Sequence, residues 1–172
     1  MSRPSTEFNG LVYRIHAADK NALDMEASKN FGGRWNKANR FGALYASLTK
    51  ETAQAEHASQ VLKRGLTPGD LSPRLMTTIR VHLTKVLDLT DTDRQEEFGI
   101  TKSELESDED AYRKKILEVS EKAWAEGCEA ILSPSARLLG GKNLNIFPDK
   151  LNPKSFLRII KSERLWVKTG NS

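Results

Sequence analysis

Cysteine occurs once in these 172 residues, at Cys128, and histidine three times. A single cysteine excludes a disulfide framework and a cysteine-rich zinc site. It also fits a reducing compartment, and the cytoplasm is the location expected. His16, His57 and His82 are scattered without metal-ligand spacing, so no metal is expected. No apolar run approaches the roughly 18 residues needed to cross a bilayer, so no membrane contact is expected. The opening MSRPSTEFNG has no apolar core of the kind a secretory signal carries. There is no GxxxxGK[ST] phosphate loop, no GxGxxG fingerprint, no internal repeat and no low-complexity tract.

Hydrophobic residues at 38% and charged residues at 29% describe a soluble globular chain, not a disordered one. The length suits one domain over residues 1–172, with a core at about 11–160 and loose tails at 1–9 and 168–172. Charge is unevenly spread. From Asp88 to Asp110 there are ten acids and two bases, a net of −8; with +4 overall, the remainder carries +12. That polarity predicts either a basic face for an anionic ligand and an acidic surface loop, or solvated surface on both sides.

Alternation in LVYRIH (Leu11–His16) and the density of FGALYAS (Phe41–Ser47) predict strands. Residues 17–30 are irregular. Thr49 caps a helix over about Lys50–Arg64, with Leu48 as a staple and Gly65 closing it. Ala55, Ala58, Val61 and Leu62 form its apolar stripe. Ala53, Glu56, His57 and Gln60 fall on another side, so Glu56 meets either solvent or a cleft. After a Thr-Pro-Gly-Asp turn come two strands, Leu75–Leu83 and Lys85–Leu89. Ser107 or Asp108 caps a second helix, Ala111–Glu126, which ends at Gly127. Cys128–Leu132, Leu144–Phe147 and Phe156–Ile160 read as further strands, and Pro148 stops the second of them. The strands lack regular crossover helices. The expected fold is therefore α+β, with a mostly antiparallel sheet core and flanking helices.

Three windows carry chemistry. In Gly32-Gly33-Arg34-Trp35-Asn36, the glycines permit a sharp turn and close approach. Arg34 offers a fork for phosphate or carboxylate, Trp35 a flat apolar face, and Asn36 both a donor and an acceptor. This suits a nucleotide, or else a strand-entry turn with a surface arginine and a core tryptophan. Tyr45-Ala46-Ser47 ends a strand just before the helix of Glu56; Tyr45 is a core aromatic or a stacking platform. Ser133-Pro134-Ser135-Ala136, then Gly140-Gly141-Lys142-Asn143, is a turn or a site loop. Cys128 opens an apolar strand and reads as a small core residue, not as half of a Cys–His pair.

In this order, Tyr13-Arg14, GGRWN, Tyr45-Ala46-Ser47, Ala53-Gln54-Ala55-Glu56, Pro134-Ser135 and Asn143-Leu144 resemble the RES-domain family of bacterial toxins, over about residues 11–149. The resemblance implies an ADP-ribosyltransferase-like fold and NAD⁺ as substrate, broken down by hydrolysis or by phosphorolysis with inorganic phosphate as co-substrate. Some members instead transfer ADP-ribose to a protein. It implies an Xre-type antitoxin as partner and DNA contact only through that antitoxin; homo-oligomerisation stays open. By position it implies Arg34, Tyr45, Glu56 and Ser135 as catalytic residues. Arg14, Gly33, Arg34, Asn36, Tyr45, Ser47 and Asn143 would contact NAD⁺.

The chemistry is compatible with that set. Nicotinamide leaves NAD⁺ as a neutral base, so no acid is needed to protonate it, unlike a sugar leaving group. One carboxylate, Glu56, can stabilise the cationic ribose or orient the attacking water or phosphate. Arg34, with Arg14, would clamp pyrophosphate or phosphate. Tyr45 would stack on nicotinamide, and Ser135, with no base visible to activate it, would form a hydrogen bond and not attack. Two rival readings stand beside NAD⁺ breakdown: ADP-ribosylation of a protein target, and a non-catalytic basic module binding nucleic acid, which the +12 outside the acidic segment motivates.

Overall fold

Aliphatic and β-branched residues alternate along RLMTTIRVHLTKVLD, and this stretch runs as one strand, Arg74–Asp88, in the computed structural model, which describes residues 5–67 and 73–165. The elements are β1 (Thr6–Ala17), α1 (Glu26–Phe31), β2 (Leu44–Ser47), α2 (Lys50–Lys63), β3 (Arg74–Asp88), α3 (Thr92–Phe98), α4 (Lys102–Leu105), α5 (Asp110–Ala125), β4 (Ala130–Pro134), β5 (Lys142–Ile146) and β6 (Phe156–Arg164). The architecture is α+β, as expected. All strand pairs are antiparallel except β3 with β4.

The sheet closes on itself. Its order is β1-β2-β5-β4-β3-β6, and β1 also pairs with β3, so five strands form a ring with β6 added outside β3. The seam between β1 and β2 is thin, a single register pair Tyr13↔Ser47. Val12, Leu44, Ala46, Ile79, Val81, Leu83, Ala130, Leu144 and Ile146 fill the ring. A second core lies between the outer face of the sheet and the helices, built from Trp35, Phe41, Leu87, Leu105, Ile116, Ile131 and Phe147 among others. Cys128 is buried in it, as read from the sequence.

Several expectations are corrected. Two strands at 75–83 and 85–89 are one strand: the amides of Thr84 and Lys85 donate to the buried Glu129 carboxylate at 2.9 and 2.8 Å, so the chain passes without a turn. The acidic segment is helical in part, not a loop, because its polar residues cap it. Asp91 accepts from the amides of Asp93 and Arg94, and Thr101 with Glu104 forms a capping box. Residues 6–9 belong to β1 instead of a tail, and α1 lies where no order was read. Glu109, not Ser107 or Asp108, precedes α5. The expected turn past Thr67 and the tails at 1–4 and 168–172 lie outside the described residues.

Thr49 caps α2 as expected, accepting from the Thr52 amide, but the helix buries a different face. Thr52, Ala53 and Val61 are buried, whereas Leu62 is 76% exposed and Ala58 is exposed. The helix packs on β1 and β2, and Ala53, Glu56 and the exposed Gln60 line the cavity beside it. Its sequence is too uniformly small and polar for periodicity alone to select the buried side.

Candidate active site

Residues two apart on a strand share a face. Leu144 and Ile146 of β5 point into the ring; Asn143 and Asn145 take the other face. On β2, Leu44 and Ala46 point in, while Tyr45 and Ser47 stand opposite Asn145 and Asn143 in the ladder. On β4, Ser133 pairs with Asn143. These polar side chains form the floor of a cavity of about 810 Å³, walled by α2, by the GGRWN turn and by the loop after β4. That volume is within the range of small-molecule sites.

Glu56 is fixed at this wall. Its Oε1 accepts from Ser135 Oγ at 2.7 Å and from Asn143 Nδ2 at 2.7 Å. Asn143 Oδ1 in turn accepts from the buried Ser47 hydroxyl at 2.7 Å. Oε2 has no hydrogen-bond partner among the described residues. The carboxylate is thus held by one oxygen and presents the other. Ser135 also accepts from the amides of Arg137 and Leu138, at 3.0 and 3.2 Å, so its hydroxyl is committed to orienting Glu56 and its own loop.

The GGRWN turn is built around Tyr45. The phenol donates to Asn36 Oδ1 at 2.6 Å and accepts from the Trp35 amide at 3.0 Å. Asn36 is buried and donates to the carbonyls of Ser28 and Phe41. Burial pushes the Tyr45 phenol well above its ordinary value, so the group stays neutral. A Cβ on Gly33 would sit 2.4 Å from the Tyr45 hydroxyl oxygen, and Gly32 has φ of 73°. The glycines therefore admit the tyrosine and the reversed backbone. Trp35 is 2% exposed and anchors the turn in the helix-side core, and the Ser120 hydroxyl donates to its carbonyl.

Arg34 projects from this base. Its Nη2 donates to the carbonyls of Leu105 and Ser107 at 2.7 and 2.9 Å, and Nη1 stands 4.0 Å from Asp108. Burial lowers its pKa, Glu56 opposes that shift and Arg137 adds to it. Arg14 also lines the cavity, but its guanidinium braces the loop below by donating to the carbonyls of Ala22 and Asp24. Its pKa is likewise lowered, chiefly by burial.

Of the residues read from the sequence, Arg14, Gly33, Arg34, Tyr45, Ser47, Glu56 and Asn143 line one cavity. Asn36 and Ser135 stand behind its wall and hold Tyr45 and Glu56. Arg137, Asp108, His16 and His57 also line it and were not selected from the sequence. Arg137 follows the Pro134-Ser135 window by two residues, which is the signal that would have found it. His16 is tied to Thr77 at 2.6 Å; both histidines have lowered pKa values, first by burial and then by nearby arginines. No group of three or more His, Cys, Asp or Glu residues with metal-holding geometry occurs among the described residues. No helix among them is long and apolar enough to cross a membrane.

The fold has a solved counterpart. A chain in the crystal structure of the M. tuberculosis MbcT–MbcA toxin–antitoxin complex superimposes with a TM-score of 0.80, covering 94% of this chain and 86% of that one at 24% identity. In sequence, the NAD(+) phosphorylase MbcT of Mycobacterium bovis is 27% identical over 141 residues, 81% of this chain and 74% of the relative. MbcT of Mycobacterium tuberculosis matches to the same extent. The RES domain model matches residues 11–167, a span that takes in the GGRWN turn, Glu56, Ser135 and Asn143. The chain belongs to the RES domain family.

Proposed function

We propose that this protein is the toxin of a bacterial toxin–antitoxin pair and that it depletes NAD⁺ by cleaving the nicotinamide–ribose bond, with phosphate as the acceptor. The observation that carries this reading is Glu56: a carboxylate clamped through Oε1 by Ser135 and Asn143, with Oε2 unpartnered among the described residues, in a cavity also lined by arginines. The similarity to NAD(+) phosphorylases supports the same chemistry. The fold is ADP-ribosyltransferase-like, the partner an Xre-type antitoxin that covers the cavity, and the location the cytoplasm.

In the proposed reaction the bond from ribose carbon to nicotinamide nitrogen breaks, and its electron pair leaves with the now neutral nicotinamide. A phosphate oxygen forms the new bond to the same carbon. Glu56 stabilises the positive charge developing on the ribose and holds a ribose hydroxyl through Oε2. Arg34 pairs with phosphate oxygens as a fork. Tyr45 offers its ring to the nicotinamide while its hydroxyl stays in the turn. Ser135 and Asn143 position Glu56.

Purified protein incubated with NAD⁺, with and without inorganic phosphate, tests the proposal. Nicotinamide released together with phosphorylated ADP-ribose, only when phosphate is present, is the expected result. Release of free ADP-ribose without phosphate would make it a hydrolase. Turnover only with an added protein would make it an ADP-ribosyltransferase. Salt-sensitive DNA or RNA binding without NAD⁺ turnover would remove the enzyme reading altogether.

A further inference from the structure

Asp108 faces three cations. Its Oδ2 is in contact with Arg137 Nη1 and lies 3.3 Å from Lys63 Nζ; its Oδ1 lies 4.0 Å from Arg34 Nη1. The three cations come from three parts of the chain: the GGRWN turn, the last turn of α2 and the loop after β4. The loop of Arg137 is itself pinned. The Ser135 amide donates to the Gly141 carbonyl at 2.8 Å, and Gly141 lies so close to Thr52 of α2 that a Cβ would come within 2.6 Å of its hydroxyl. Asp108 is on the short link between α4 and α5, where Leu105 and Ser107 supply the carbonyls that hold Arg34.

The cluster is strained by like charge. Burial, then Arg137 and Arg34, hold the Lys63 ammonium below the ordinary lysine range, against the opposing effect of Asp110 and then Glu56. The three cations converge on Asp108, and a carboxylate on a short link is a weaker partner for them than a phosphate dianion with three or more acceptor oxygens.

We propose that Arg34, Lys63 and Arg137 form the binding site for the phosphate co-substrate, and that Asp108 is a built-in competitor occupying it in the resting protein. The site rests on the phosphorolytic reading above for its use, though not for its existence. Phosphate entering between Arg137 and Lys63 takes over their contacts with Asp108 and stands on the side of the cavity that Glu56 shares with Arg34. Asp108 thereby sets how much phosphate is needed for turnover. It is a positioning residue; Arg34 and Arg137 touch the substrate.

Calorimetric titration of inorganic phosphate into the full chain, without NAD⁺, tests the site apart from the reaction. Asp108→Asn is expected to tighten phosphate binding about tenfold, a gain of about 1.4 kcal/mol, and Arg137→Gln to weaken it by tenfold or more. In turnover assays Asp108→Asn lowers the KM for phosphate and leaves the KM for NAD⁺ little changed, and Asp108→Glu restores wild-type phosphate dependence. Arg137→Gln keeps Asp108 paired with Arg34 and Lys63, so it reads the site even if Asp108→Asn fails to fold. Equal phosphate affinity in wild type and Arg137→Gln would overturn the site. Unchanged affinity in a folded Asp108→Asn protein would overturn the competitor role. Phosphate binding that follows these variants in a protein that never cleaves NAD⁺ would uphold the site and sink only the proposed reaction.

Discussion

The hydroxyl of Ser135 donates to Glu56 Oε1 at 2.7 Å from a position outside the cavity lining. The serine therefore holds the carboxylate and does not face the space where a substrate would sit. Its own loop amides, from Arg137 and Leu138, lock the oxygen in place. On the proposed reaction, Glu56→Gln lowers kcat by about 10²–10⁴, the range of a positioned general acid or base. Ser135→Ala lowers kcat by about ten- to a hundredfold, since a hydrogen bond to a charged group is worth about 1.5–3 kcal/mol. A loss with Ser135→Ala equal to that of Glu56→Gln would point to a nucleophile instead, so steady-state kinetics on the two variants separates the roles.

Asn143 links two residues that a substrate would not connect. It accepts from Ser47 and donates to Glu56, so it passes the constraint of β2 on to the helix α2. Asn143→Leu keeps the size, leaves the Ser47 hydroxyl and Glu56 each short of a partner, and is expected to lower kcat by about tenfold. Ser47→Ala acts one bond further away and should cost less. Measuring kcat and the KM for NAD⁺ in both checks the order; a larger loss in Ser47→Ala would mean that Ser47 contacts the substrate directly.

Gly33 and Tyr45 should couple. An alanine Cβ at Gly33 would meet the Tyr45 hydroxyl oxygen at 2.4 Å and its ring carbon at 2.8 Å. Overpacking of that kind costs about 1–3 kcal/mol. Gly33→Ala is expected to lower Tm, and to lower it less in a Tyr45→Phe background, where the closest clashing atom is gone. Thermal unfolding of the four proteins in a double-mutant cycle measures the coupling. Strict additivity would show that the turn tolerates the methyl by moving elsewhere.

What the sequence disclosed follows how local each signal is. The Thr49 cap and the strand that ends before Pro148 are short-range facts, visible in a few residues. Residues from the ordered windows between Tyr13 and Asn143 meet at one cavity, a grouping visible only when the windows are read together. The closing of the ring was not legible, since Tyr13↔Ser47 is a single long-range pair with no local signature. The buried stripe of α2 was not legible from periodicity, because Ala53, Ala55 and Ala58 differ little as side chains and only the sheet beneath decides among them; its cleft side, with Ala53, Glu56 and Gln60, followed from the resemblance alone. Asp108 is legible, with Ser107, only as a candidate helix cap; its meeting with Lys63 and Arg137 joins distant parts of the chain.

Glu129 is expected to make stability fall in acid. It is fully buried and accepts from the Thr84 amide and hydroxyl, the Lys85 amide, and the amide and side chain of Asn152. Burial alone would raise its carboxyl, but hydrogen bonds from Asn152 and Thr84, among other donors, outweigh it, and the folded-state value lies below the ordinary one. A depressed carboxyl stabilises the fold above its unfolded value, about 4.3 for glutamate, and that stability is lost as pH falls through the folded value. Glu129→Gln keeps the shape but turns one acceptor oxygen into a donor facing donors, which should cost about 1–3 kcal/mol at neutral pH. It should also flatten the acid limb of the stability curve. Denaturant unfolding of both proteins between pH 7 and pH 3, working values about the glutamate range, is the measurement. An acid limb of the same slope in Glu129→Gln would assign the dependence to another carboxylate.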